Sequence, residues 1–437
     1  MTCKNFFRTG GHLMLASVVM LVSAIASHAQ LLVDCSGTNP YAYPSINAAL
    51  PNAGPGSSII VTGTCNENVN LQAVNNLNLG SWWGQTATID GGLSITNSTL
   101  VYLYGLNITN PFGDGVNVAN SRSIVLDTCT SNGNGGAGLR AVGMSDVVVN
   151  ATGSFDNNGG GGINAVGNSL VSLNGWGGVM DISNNTGPGI YLSEAALWTL
   201  GNTTISNNLA GPPQGAGLGI MLLGGARAQI GALFGPNLIE GNLAGGASIG
   251  EGSEISFWSI GQPNVIQSNG AVGVSVNLGS QATFFEGAQI TNHSSAGVDV
   301  YANSQANFFG ANQILRNGTS TDPLSAGIRV DGNSEAFLRG GDVSQNNGPG
   351  FLALVNSSVD FTGVTFSSDT GGIVTCDSTA TMISDLAQAN ATPPAGVRCK
   401  TPHSLGNRHV TRTPPAVPDL SPYKTLQAKY KKIATKH

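Results

Sequence analysis

The sequence predicts an all-β solenoid built from short strands and tight turns, and three observations carry that expectation. First, a glycine followed by an aliphatic residue returns at Gly115, Gly138, Gly162, Gly189, Gly217, Gly246, Gly273, Gly297, Gly327, Gly350 and Gly372, in steps of 22 to 30 residues. A drifting period of this size is that of stacked coils whose slack is taken up in loops. Second, within each phrase the residues alternate. In Gly297-Val298-Asp299-Val300, apolar and polar side chains trade places every residue, which is the two-residue period of a strand. Third, 62 glycines among 437 residues suit turns and weaken helices.

Two further columns keep the register. Seven residues after the glycine stands a serine at Ser145, Ser169, Ser253, Ser280, Ser304, Ser334 and Ser357, and one residue earlier at Ser121 and Ser378. Four residues before it stands an asparagine at Asn134, Asn158, Asn185, Asn242, Asn269 and Asn346, replaced once by His293. Asparagine tolerates left-handed backbone and hydrogen-bonds nearby peptide groups, so it suits a turn repeated on every coil. Stacked turns would set these amides about 4.8 Å apart, close enough to bond one another. Internal ladders therefore explain the Asn and Ser columns better than a polar binding surface does.

The coil period, the Asn column and the segment Ser45-Ile46-Asn47-Ala48-Ala49-Leu50 together resemble the pectin-lyase-like superfamily over about Asp34 to Asp385. That resemblance implies a right-handed, single-stranded parallel β-helix of about a dozen coils. It also implies a short N-terminal helix that plugs the open end, with Ser45 capping Ile46 to Leu50 and Ile59 to Thr62 as the strand that follows. Val116, Ile163, Ile190, Val298 and Ile328 are expected to stack in the core.

The ends of the chain give an expected address. Lys4 and Arg8 precede an apolar run from Leu13 to Ala26, and Ser27-His28-Ala29 offers a small-x-small cleavage site. Residues 1–29 are therefore expected to be a signal peptide, 30–390 the β-helix domain, and the protein secreted, to the periplasm or outside the cell. No transmembrane segment is expected. Cysteine usage agrees with export: Cys35 with Cys65 would staple the N-terminal plug, and Cys376 with Cys399 the last coil, leaving Cys129 as a buried core thiol.

Charge divides the chain. Residues 30–390 hold 22 acids against six arginines, a net −16, and no lysine occurs between Lys4 and Lys400. An acidic body does not attract nucleic acid. Residues 391–437 carry nine basic residues against Asp419, with seven prolines, and form a Pro-rich basic tail. Pro422 opens a possible last helix in which Tyr423, Leu426, Tyr430 and Ile433 share a face. This basic segment could contact an anionic surface or dock on the acidic body.

The catalytic signatures of the resembling enzymes are missing: there is no adjacent Asp-Asp, no Gly-His-Gly and no body lysine, and His293 sits in the turn column. No family catalytic residue can be carried over, so the catalytic residues are unknown and the enzyme question is open. Geometry offers candidates instead. In Gly-aliphatic-x-aliphatic the x residue points outward, and coils stack these residues in the order Asn117, Arg140, Asn164, Tyr191, Gly219, Ser248, Ser275, Asp299, Arg329, Leu352. Asn277, Tyr301 and Asp331 should stand beside them, two residues further along.

Two patches are therefore expected to bind substrate. One joins Asp299, Tyr301, Arg329 and Asp331, with Asp299 and Asp331 as ligands for calcium, the cofactor the resemblance admits. The other joins Asn117, Arg140, Asn164 and Tyr191. The competing reading of Asp299 and Arg329 is an exposed cross-strand ion pair of a few tenths of a kcal/mol. The expected function is binding of extracellular polysaccharide along the exposed sheet. A calcium-assisted polysaccharide lyase, or a solenoid with no dedicated ligand, are the alternatives.

Overall fold

A computed structural model describes residues 30–82, 84–210, 217–319 and 321–384. The expected signal peptide, the basic tail and Cys399 lie outside these residues. Within them the chain is an all-β, right-handed parallel solenoid of about 14 turns. Every strand pairing is parallel, because each strand meets its equivalent one coil earlier and one coil later. One sheet has fifteen strands and another thirteen. The third face is split into sheets of four and seven strands, bridged through Ser154 to Thr130 and Asp181.

The Gly-aliphatic phrases form the thirteen-stranded sheet, with Val116 opposite Leu139, Leu139 opposite Ile163, and Ile163 opposite Ile190. Val116, Ile163, Ile190, Val298 and Ile328 all point inward and are fully buried. Phenylalanines stack along the same interior, Phe257 on Phe284 at 5.0 Å and Phe284 on Phe308 at 4.5 Å between ring centres.

The N-terminal end is closed as expected. The helix Ile46–Ala49 starts at Ser45, whose hydroxyl accepts from the Ala48 N–H at 3.1 Å, and it buries Ile46 and Ala49 in the mouth of the coil. The Glu67 carboxylate takes the free N–H groups of Ile46 and Asn47, at 2.6 and 3.1 Å, adding negative charge where the helix end favours it. A strand not anticipated, Gln30–Asp34, pairs with Ser58–Thr62 and begins the long sheet. Cys35 and Cys65 are joined, Cys376 is also disulfide-bonded, and Cys129 is a free buried thiol that burial pushes up to about 12.

The asparagine column is an internal ladder, longer than the sequence spacing suggested. It runs through Asn134, Asn158, Asn185, Asn208, Asn242, Asn269, His293, Asn317, Asn346 and Asp369, nearly all fully buried. Where one ladder asparagine follows another, the Oδ1 accepts both the backbone N–H and the side-chain amide of the coil before it; Asn242 reaches Asn269 at 3.0 and 2.9 Å. Asn208 and Asn317 escape the four-residue rule because insertions place them eleven and ten residues ahead of Gly219 and Gly327. The left-handed turn residue is the one before the ladder: Asn157, Asn184, Asn207 and Asn292 have φ between 52° and 61°. The ladder asparagines thus point inward rather than make the turn. A serine ladder parallels it, with Ser280 donating its N–H to Ser304 Oγ at 3.3 Å and Ser304 to Ser334 Oγ at 3.1 Å.

These ladders explain the repeat glycine. A Cβ on Gly162 would lie 2.3 Å from Ile182 Cγ2 and 2.7 Å from the Gly189 carbonyl oxygen, so close packing excludes any side chain. The same criterion corrects one register: Ile190 faces Ile220, so the repeat glycine of that coil is Gly219 rather than Gly217.

Candidate functional site

Pairing on the thirteen-stranded sheet brings the outward residues into one continuous row. It reads Asn70, Ser94, Asn117, Arg140, Asn164, Tyr191, Met221, Ser248, Ser275, Asp299, Arg329, Leu352. Met221 occupies the place expected for Gly219, which instead belongs to the glycine column. The sequence reading otherwise orders the row correctly.

Asp299 and Arg329 stand opposite one another as expected, but the patch is not an exposed one. Asp299 is only 3% exposed and the Arg329 side chain 17%. Arg329 Nε donates to Asp299 Oδ1 at 2.7 Å, and Nη2 donates to Oδ2, so both carboxylate oxygens are engaged. Burial pushes the Asp299 carboxyl above its ordinary value while Arg329 draws it back. Burial acts to lower the Arg329 guanidinium, yet the hydrogen bond and charge of Asp299, with Asp331 and Asp322 nearby, hold it above its usual value. Asp322 belongs to the loop of the 30-residue coil step and is tied down by the Ser295 hydroxyl at 2.7 Å. Tyr301 is 38% exposed and Asp331 half-buried at the strand ends. The expectation of a weak solvated ion pair is therefore corrected: this is a desolvated, bidentate pair whose polar capacity is turned on itself.

The second patch is open. Asn117, Arg140, Asn164 and Tyr191 lie side by side on four adjacent strands. Arg140 meets Asp114 at 3.5 Å with side-chain exposures of 51% and 20%. The Oδ1 atoms of Asn117 and Asn164, on either side of Arg140, are buried and accept no hydrogen bond among the described residues. A buried acceptor without a donor is unfavourable by about 1–3 kcal/mol. Other unpartnered buried polar atoms occur elsewhere, at Ser172, Asn174, Asp181, Asn307 and Asp369; what sets these two apart is their place on either side of Arg140 in the outward row.

Beside Asn117 the surface sinks into a groove of about 340 Å³, lined by Asn68, Asn70, Gly91, Gly92, Ser94, Asn110, Asp114 and Asn117 among others. Its floor is the row itself: Asn70, Ser94 and Asn117 project from three consecutive strands. Its wall is the loop Asn110 to Asp114, held by Asn110 Nδ2 donating to the Asp114 carbonyl at 2.9 Å and by the Ala137 N–H donating to Asp114 Oδ1 at 2.8 Å. At the crest of that loop Phe112 is 97% exposed, and its N–H donates to Asn110 Oδ1 at 3.2 Å.

Asn70, Ser94, Asn110, Phe112 and Asp114 were not among the sequence candidates. A signal for part of the site existed: Gly92-Leu93-Ser94-Ile95 carries the same phrase one coil before Gly115. No local pattern distinguishes Phe112, whose exposure depends on the path of its loop.

Over residues 91–258 and 260–399 the chain matches the family model described as the right handed beta helix region. No curated protein matches the sequence. Among solved structures, the A-module of mannuronan C-5 epimerase AlgE6 from Azotobacter vinelandii is 15% identical, covers 78% of this chain and 93% of that one, and has a TM-score of 0.43. Pectate lyase Pel9A is 14% identical over 80% of this chain and 82% of that one, with a TM-score of 0.32. PfbA, a surface adhesin of Streptococcus pneumoniae, is 12% identical over 76% and 86%, with a TM-score of 0.34.

Proposed function

Because this chain belongs to the right-handed β-helix family, we propose that it is an exported protein that binds extracellular polysaccharide along the outer row of its thirteen-stranded sheet. The observation that carries this reading is the pair of buried, unpartnered Oδ1 atoms on Asn117 and Asn164, flanking Arg140 in a row whose Asn117 borders a groove. Sugar hydroxyls are donors as well as acceptors, and each of these half-buried asparagines, on turning its amide outward, would accept one from an extended glycan laid across the strands. Tyr191 and Phe112 supply flat apolar faces at the two ends of this stretch, as sugar rings require. Export is supported by the Cys35–Cys65 bridge, which suits an oxidising compartment. No helix among the described residues is long and apolar enough to cross a membrane.

Binding without turnover is the favoured class. Pectate-cleaving enzymes of the resembling superfamily use an arginine or lysine as base, and of the two arginines in the candidate patches Arg329 is held charged by Asp299 while Arg140 faces Asp114. Calcium at Asp299 and Asp331 would require Asp299 to give up Arg329.

The reading is tested by retention of the exported protein on a panel of immobilised polysaccharides, with ultraviolet detection of unsaturated products. Retention without product is expected, weakened by Asn164→Ala and by Tyr191→Ala. Failure to bind any polysaccharide, or binding indifferent to both substitutions, would dispose of it.

A further inference from the structure

Resting on that reading, we propose that the groove beside Asn117 takes an uncharged, hydroxyl-rich glycan rather than an acidic one. The polar side chains of the groove are the amides of Asn68, Asn70, Asn110 and Asn117 and the hydroxyl of Ser94, and the formal charge among them is the carboxylate of Asp114. An amide offers a donor and an acceptor on one planar group, which matches neighbouring hydroxyls on a sugar ring and has no net attraction for a carboxylate.

The surrounding charge points the same way. The cation facing this stretch of the row is Arg140, and Asp114 already stands 3.5 Å from it. The body carries 22 acids against six arginines over residues 30–390, so an incoming polyanion meets repulsion from the whole domain. A cation bridge could overcome that repulsion, but calcium takes six to eight oxygen ligands and prefers several carboxylates. The groove supplies Asp114, and the nearby Glu67 is committed to the N–H groups of Ile46 and Asn47.

Phe112 completes the site. A ring 97% exposed on a loop pinned by its own hydrogen bonds is a platform for the apolar face of a sugar, and stacking of that kind needs no charge.

The experiment is calorimetric titration of the exported protein with neutral oligosaccharides (gluco-, manno- and galacto-oligomers) and with oligogalacturonate and oligomannuronate of equal length. Each is run at low and high salt, with calcium and with a chelator. A neutral oligomer is expected to bind with an affinity unchanged by salt or chelator, since no ion pair forms. Phe112→Ala and Asn117→Ala should each weaken it about tenfold, the equivalent of one good contact. The melting temperature should be unchanged for Phe112→Ala, whose ring is exposed, and not lowered for Asn117→Ala, which removes a buried acceptor that has no donor.

Tighter or calcium-dependent binding of a uronate that is sensitive to Phe112 and Asn117 would overturn the neutral-ligand inference and leave polysaccharide binding standing. Binding of none of these oligomers, or binding insensitive to both substitutions, would overturn the groove itself.

Discussion

Asp299 and Arg329 face each other across adjacent strands as a closed bidentate pair, Nε to Oδ1 at 2.7 Å, with the carboxylate side chain only 4% exposed. From sequence the two form an outward-facing candidate patch, or else an exposed ion pair of a few tenths of a kcal/mol. The structure reverses that expectation. Removing one partner strands the other in a desolvated site, whereas a glycan or a metal ion would have to compete with an interaction already complete.

Arg329→Ala is therefore expected to destabilise the fold by about 3 kcal/mol, whereas Asp299→Val with Arg329→Met should be close to neutral. Without Arg329, burial and the nearby Asp331 charge both favour the neutral form of Asp299, so the deficit should be largest at neutral pH. It should shrink on acidification toward the ordinary carboxylate range, about 4, where Asp299 takes up a proton. Chemical denaturation across pH measures both effects. A single variant as stable as the wild type would show the pair to be dispensable.

His293 interrupts the asparagine ladder, with Nδ1 accepting the Asn269 N–H at 3.3 Å and Nε2 paired with the Ile266 carbonyl at 3.1 Å. Nδ1 must therefore be bare and Nε2 protonated, and burial lowers the imidazole to about 4. The unfolded chain takes up a proton near pH 6.5 and the folded one does not until about 4. Stability is thus fully present above 6.5 and falls by about 3 kcal/mol as pH drops to about 4. His293→Asn should restore the ladder and flatten this limb of the acid-denaturation curve. An unchanged limb would place the acid sensitivity elsewhere.

Gly162→Ala should destabilise by about 2–3 kcal/mol, since its Cβ would collide with Ile182 Cγ2 and a carbonyl one coil away. Gly54→Ala, with nothing within 4 Å and an ordinary backbone, is the matched control and should be neutral or slightly stabilising. Thermal melts of the two variants decide whether close approach, rather than turn flexibility, keeps the glycine column.

Reducing Cys35–Cys65, which are separated by 30 residues, should lower stability by about 3–4 kcal/mol through the freed chain ends, and the loss should appear first around the plug helix. Hydrogen exchange at Ile46 to Ala49 would report it. Peptide mapping under non-reducing conditions should show Cys376 linked to Cys399 and Cys129 free.

How far the sequence alone reached follows from what is periodic and what is not. A solenoid repeats its environment, so the glycine, asparagine and serine columns announce the coil, the strand period separates Val298 from Asp299, and the row from Asn117 to Leu352 can be written down with one error, at Gly219. That error, and the missed Asn208 and Asn317, come from insertions, which break the counting without breaking the ladder. Solvent exposure does not repeat. Whether an outward Asp299 meets water depends on the residue opposite and on loops such as the one carrying Asp322. Whether Phe112 stands clear depends on the route from Asn110 to Asp114. Strand alternation is local and is written in the sequence; burial on the outer face is the sum of many distant chain segments, and only the folded molecule decides it.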